Sequence, residues 1–137
     1  MADLTITATS VVKGAGAVTQ TGIAGVAVTA GQALYKDPTD SNKLKLADCD
    51  SATAAVRVVA GVALHGAAAN QPVTYQTGGV INLGATLTAG TVYCLSDVAG
   101  GIRPVADNGS GDGVSLIGVA TSASLLSMNI FNSGAQV

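Results

Sequence analysis

Apolar and polar residues alternate in short runs along most of this chain. Residues 4–8 read L-T-I-T-A, residues 43–47 read K-L-K-L-A, and residues 71–77 alternate in the same way. A period of two sends successive side chains to opposite faces, the signature of a half-buried strand. The same reading predicts strands over 17–21 and 24–28 about Gly22, and over 33–36, 80–83, 91–95, 102–106, 114–121 and 125–131. Residues 56–64 are almost wholly apolar and read as a strand buried on both faces. Residues 52–60 also admit one helical turn. No stretch carries the i, i+3, i+4, i+7 stripe of a longer helix.

Turn residues separate these runs. Lys13-Gly14-Ala15-Gly16, Asp37-Pro38-Thr39-Asp40-Ser41-Asn42, Gly78-Gly79 and Ala99-Gly100-Gly101 each predict a reversal, and residues 108–113 a glycine-rich loop. Every acidic residue is Asp, which favours caps and turns over helix interiors. Many short strands at this pitch predict an all-β fold. It would be an antiparallel sandwich of jelly-roll type or a small barrel, in one domain spanning 1–137. Residues 1–12 stand out as a terminal alternating segment. They suit either an ordinary first strand or an extended arm that adds to a neighbouring subunit's sheet edge.

The chain also repeats itself. Thr29-Ala30-Gly31 returns as Thr88-Ala89-Gly90, Leu46-Ala47-Asp48 as Val105-Ala106-Asp107, and Gly61-Val62-Ala63 as Gly118-Val119-Ala120. The order is kept, which predicts a two-fold internal repeat. Each unit would hold a hairpin opened by Ala-Gly, where glycine admits positive φ, plus a further strand. The one ionisable group the two copies share is the Asp, Asp48 and Asp107.

Composition shifts the picture from chemistry toward contact. Only 3% of residues are aromatic, so the core must be built from small Ala and Val side chains that bury little area each. Charged residues are 10%, against about 25% in an ordinary soluble domain. A surface so poor in charge is expected to be covered in part by partners. The four Lys and two Arg are scattered and form no basic stripe for phosphates, so no nucleic acid is expected. Every apolar run is interrupted before about 18 residues, so no membrane span is expected. The opening MADLTITATS has no apolar core of a secretory signal, so synthesis in a cytosol is expected, with Cys49 and Cys94 as free thiols.

In order, the segments ADLTITATSVV, VTAGQALYKD, KLKLAD, AGVALHGAAANQPVTYQTGG, LTAGTVYCLSDVAGGIRPVAD and LIGVATSAS cover nearly the whole chain. Together they resemble the small capsid cement, or head decoration, proteins of tailed bacteriophages. The resemblance implies an all-β protein that binds the outside of the assembled shell. There it bridges major capsid protein subunits as a homodimer or homotrimer. The implied location is the virion exterior after synthesis in the host cytoplasm. The family has no catalytic residues to transfer.

Reading the ionisable residues singly gives the same result. His65 is the only histidine, and no Gly-x-Ser-x-Gly elbow presents a nucleophile for it to activate. No phosphate-binding Gly-x-x-x-x-Gly-Lys-[Ser/Thr] occurs. Asp48 and Asp50 flank Cys49, and Asp107 and Asp112 flank the glycine-rich loop. That loop has glycine where a calcium loop needs its third and fifth ligands. These aspartates read as turn formers, and Asn108-Gly109-Ser110 as a glycosylation triplet without a secretory route. No catalytic residue, metal ligand or cofactor is expected. The other reading is a ligand- or carbohydrate-binding β module, for which three Tyr and one Phe leave few stacking surfaces.

Overall fold

The computed structural model describes residues 3–136. Its strands are β1 (Val11–Lys13), β2 (Val18–Ile23), β3 (Ala33–Asp37), β4 (Lys43–Leu46), β5 (Gly61–Ala63), β6 (Pro72–Leu83), β7 (Val92–Leu95), β8 (Ile102–Pro104), β9 (Gly113–Ala120) and β10 (Leu125–Gln136). Single 3-10 turns lie at Ala8–Ser10, Ala54–Arg57 and Val105–Asp107, and no α-helix occurs among the described residues. The strands form one antiparallel sheet in the order β4-β3-β5-β6-β10-β9-β7-β8, with β1 and β2 added to β6. The sheet curls into a half-barrel, so the all-β expectation holds.

That order reads alike from either end. A hairpin, β3–β4 or β7–β8, is joined through its first strand to a third strand, and the third pairs with a long fourth. The backbone bonds match too. Gly31 N–H donates to Ala63 O at 2.8 Å, and Gly90 N–H to Ala120 O at 2.8 Å. Ala33 and Leu34 face Val62 and Gly61, as Val92 and Tyr93 face Val119 and Gly118. Gly31 and Gly90 both have φ near +85°, at 89° and 84°, a conformation open to glycine at little cost.

β6 is the spine that joins these halves. Its residues 81–82 pair with β1 on one edge and β10 on the other. Its residues 75–76 pair with β2 and β5 in the same way. The paired Gly78-Gly79 therefore does not reverse the chain as expected. Strands on both edges hold β6 straight, and the positive φ of Gly79 (81°) serves a bulge instead. A Cβ on Gly79 would run into the carbonyl oxygen of Gly16. Gln76, buried in the same stretch, donates from Nε2 to Gly78 O and Val80 O at 2.9 Å each and clasps the bulge.

Four other predicted strands are shortened or replaced, the first being 102–106, of which Ile102–Pro104 is strand and Val105–Ala106 enter a 3-10 turn. Residues 24–28 make only isolated bridges, Ala24 to Leu44 and Val28 to Ala67. The chain there crosses between strands: Ala24 N–H bonds Gln71 O on the β6 side, and Gly25 N–H bonds Leu44 O on β4. Residues 56–64 divide into the end of a 3-10 turn and the three-residue β5. The helical turn read over 52–60 is that 3-10 turn. Residues 4–8 are not a ladder strand. Leu4 N–H bonds Ile102 O and Thr7 N–H bonds Gly84 O, and Leu4 and Ile6 pack on the core. Residues 1, 2 and 137, which complete the predicted 1–12 segment and the 1–137 domain, lie outside the described residues.

The core is in two parts. The larger is built on Ile81, Leu83, Leu95, Ile102, Ile117 and Leu126. The smaller gathers Ala24, Leu34, Leu44, Val73 and Tyr75 beneath the β3–β4 hairpin.

Candidate functional site

Side-chain chemistry concentrates around one residue that the sequence did not single out. Arg103 on β8 is fully buried. Its Nη2 donates to Asp112 Oδ2 at 2.5 Å, and its Nη1 to Asp97 Oδ1 at 3.0 Å. Asn108 Oδ1 accepts from Nε at 3.1 Å and from Nη2 at 3.0 Å. The Sγ of Cys49 lies 3.6 Å from Nη2, and the Cys94 thiol donates to Asn108 Oδ1 at 3.4 Å. The glycine-rich loop thus wraps a guanidinium, and Gly109 N–H supplies Asp112 with a further bond at 2.7 Å. A planar five-donor group suits such a multidentate cage.

Neither thiol of the cage is activated. Burial pushes the Cys49 thiol up to about 12 and the Cys94 thiol up to about 11, so both stay protonated and inert as nucleophiles. Carboxylate oxygens of Asp50, Asp97 and Asp112 gather within 4.8 Å of one another. Arg103 already pairs two of the three, so their charge is met by a cation of the chain itself. Asn108, the first residue of the glycosylation triplet, has its side chain turned into the cage.

The other predicted site residues are dispersed. His65 is exposed: its Nε2 accepts from Thr74 N–H at 2.9 Å, which puts the proton on Nδ1, beside Gly66 O at 2.9 Å. It ties the end of β5 to β6. Asp48 Oδ1 accepts from Asp50 N–H at 3.2 Å. Burial, and then the neighbouring Asp50 carboxyl, raise Asp48 to about 6. At the opposite hairpin, Lys45 Nζ lies 2.7 Å from Asp37 Oδ2. That bond, with two from Thr39, holds Asp37 down to about 2.

A second feature lies on the outer face of the sheet. Val12, Asn82 and Leu125 form one cross-strand row. Val80, Ser127, Val119 and Val92 form the next. Leu116 and Phe131 form a third. Rows between them, such as Ile81, Leu126 and Ala120, point into the core. Val12, Val119 and Phe131 are 56%, 40% and 59% exposed. No residue of β6, β7, β9 or β10 is charged. Charge lies on the β3–β4 hairpin and at two borders of this face: Lys13 follows Val12 on β1, and the Leu116–Phe131 row continues through Cys94 to Arg103 and its carboxylates. The alternation that predicted these strands was readable in the sequence. Which rows fall side by side depends on pairings between distant strands.

Comparison with known protein families, curated proteins and solved structures finds no match. Among the described residues, no helix is long and apolar enough to cross a membrane.

Proposed function

We propose that this chain is a structural virion protein of a bacteriophage. In this reading it binds the outer surface of the assembled capsid and stabilises it by bridging major capsid protein subunits. The observation that carries the reading is the outer face of β6, β9 and β10, strands without a charged residue, where Val119 and Phe131 stand exposed with Val12 of β1 beside them. Exposed apolar side chains grouped on one open face mark a protein-binding surface. The ordered resemblance of the sequence to capsid cement proteins supplies the partner. Self-association into a dimer or trimer belongs to the same reading, as does its location on the virion exterior after synthesis in the host cytoplasm.

The mechanism is mass action. A protein that binds only the assembled shell lowers the free energy of that shell at every occupied site. Individual contacts can be modest, because linked contacts on a lattice act together. Such a role asks for a stiff scaffold and surfaces, and the reactive groups of this chain are spent on internal ties.

The carbohydrate-binding alternative has less to stand on. A groove of about 330 Å³ opens among Gln20, Lys36, Val58, Tyr75 and Thr77. Tyr75 is 2% exposed and offers no ring face to a sugar. Phe131 is the one well-exposed aromatic residue, and it stands on the open sheet face.

The test is to add purified protein to expanded, undecorated phage shells and follow co-sedimentation and the temperature of shell disruption. Saturable binding with a rise in that temperature is expected. Shells that neither bind the protein nor gain stability would overturn the proposal.

A further inference from the structure

Among the described residues, β6 is the one ladder partner of β2, and the outer edge of β2 carries a row of backbone groups without a strand beside it. Thr74 O accepts from Leu64 N–H, and Thr74 N–H donates to His65, so both backbone groups of Thr74 point to the β5 side of β6. Thr21, directly opposite Thr74, is therefore a non-hydrogen-bonded pair, and its own N–H and C=O point away from β6. Alternation gives Thr19 the same direction, since it faces Gln76. β2 has β6 as its ladder partner. Beyond Gly22 the edge is taken over by β4, where Gly25 N–H bonds Leu44 O. The open stretch is thus Thr19 to Thr21, with two donors and two acceptors.

Stable monomers protect such an edge with lysine, proline or an inward charge. β2 reads V-T-Q-T-G-I and has none of these, and its residues are exposed apart from the half-buried Gly22. Val18 is 54% exposed and Ile23 41%.

We infer that β2 pairs edge to edge with β2 of a second copy of this chain, antiparallel about a two-fold axis at Gln20. This deepens the self-association in the proposed function and does not depend on the capsid. The occupant follows from register. Outward groups lie only on odd residues, so an antiparallel partner must match odd with odd. With Gln20 opposite Gln20, Thr19 meets Thr21 of the second copy and Thr21 meets Thr19. All four free groups on each copy are used. Val18 then lies across from the second copy's Gly22, the one residue of the strand without a side chain. A strand without charge meets no repulsion from its own copy, and a self-complementary patch is what a two-fold interface requires.

Sedimentation velocity on the full chain at about 10 µM tests this, since a dissociation constant of about 1 µM leaves the protein mostly dimeric there. A species of twice 13.3 kDa is expected for the wild type. Gln20→Lys places two ammonium groups against each other at the axis and is expected to weaken the dimer at least about tenfold. Gln20→Glu should do the same, and a mixture of the two variants should restore the dimer. Thr21→Pro removes an outward donor and keeps the backbone ladder to β6, losing there only the hydroxyl contact of Thr21 with Thr74 at 3.2 Å, so it should be monomeric with an unchanged strand signal in circular dichroism. Where Thr21→Pro fails to fold, the Gln20 series decides. A monomeric wild type would overturn the inference, as would a dimer that Gln20→Lys leaves intact. A monomer that still binds phage shells removes this pairing alone. A dimer that ignores shells removes the capsid reading alone.

Discussion

Arg103 and Asp112 are joined by a hydrogen-bonded ion pair 2.5 Å long between two buried residues. The pair fixes the glycine-rich loop to β8.

Replacing one member strands the other. Arg103→Met leaves the Asp112 carboxylate buried with Gly109 N–H as its remaining donor, which should cost about 3–5 kcal/mol in urea unfolding. Adding Asp112→Asn removes the uncompensated charge and should recover part of that loss. A single variant as stable as the wild type would show that the pair holds nothing.

Two carboxyl groups give pH effects of opposite sign. Asp48 is raised to about 6, so the folded chain binds its proton more tightly than the unfolded one. Its contribution is present below pH 4 and is lost as pH rises from about 4 to about 6. Asp37, lowered to about 2, contributes above pH 4, and that contribution is lost as pH falls toward 2. Asp48→Asn should therefore raise the melting temperature at pH 7 and flatten the profile between pH 4 and 6. Asp37→Asn should lower it at pH 7. Melting curves from pH 2 to 8 check both signs.

Gly79 and Gly16 both have positive φ, but only Gly79 lacks room for a side chain. Gly79→Ala adds a clash with the Gly16 carbonyl to the backbone strain and should cost more than the roughly 1–3 kcal/mol of strain alone. Gly16→Ala, with nothing within 4 Å of its new Cβ, should cost about 1 kcal/mol. Chemical denaturation of the two variants gives the comparison.

Phe131 is 59% exposed in the outer face and contributes little to the core. Phe131→Asp should leave the melting temperature within a few degrees of the wild type and weaken shell binding about tenfold or more. Binding at wild-type strength would remove this face from the proposed interface.

Much of the fold was legible along the chain. The turn at residues 37–42 folds as its residues demand: Ser41 and Asn42 take positive φ and Asp37 accepts from Thr39. The alternating K-L-K-L run is β4. The errors occur where one local signal serves two structures. Gly78-Gly79 fits a reversal or a bulge, and strands on both edges of β6 select the bulge. Residues 24–28 have strand composition, yet their backbone groups are divided between Asn70–Gln71, Leu44 of β4 and Ala67.

The sequence by itself determined the class of this protein, because alternation and turn chemistry act over a few residues and need no partner. It also determined the poverty of charge and aromatic side chains. Tertiary structure alone decided that Arg103 is buried among Asp97, Asn108 and Asp112. It alone decided that Val12, Val119 and Phe131 share one outer face, and that the edge of β2 is left open. Each of these depends on which distant strands pair and in what register, and one residue of slip would send every side chain to the other face.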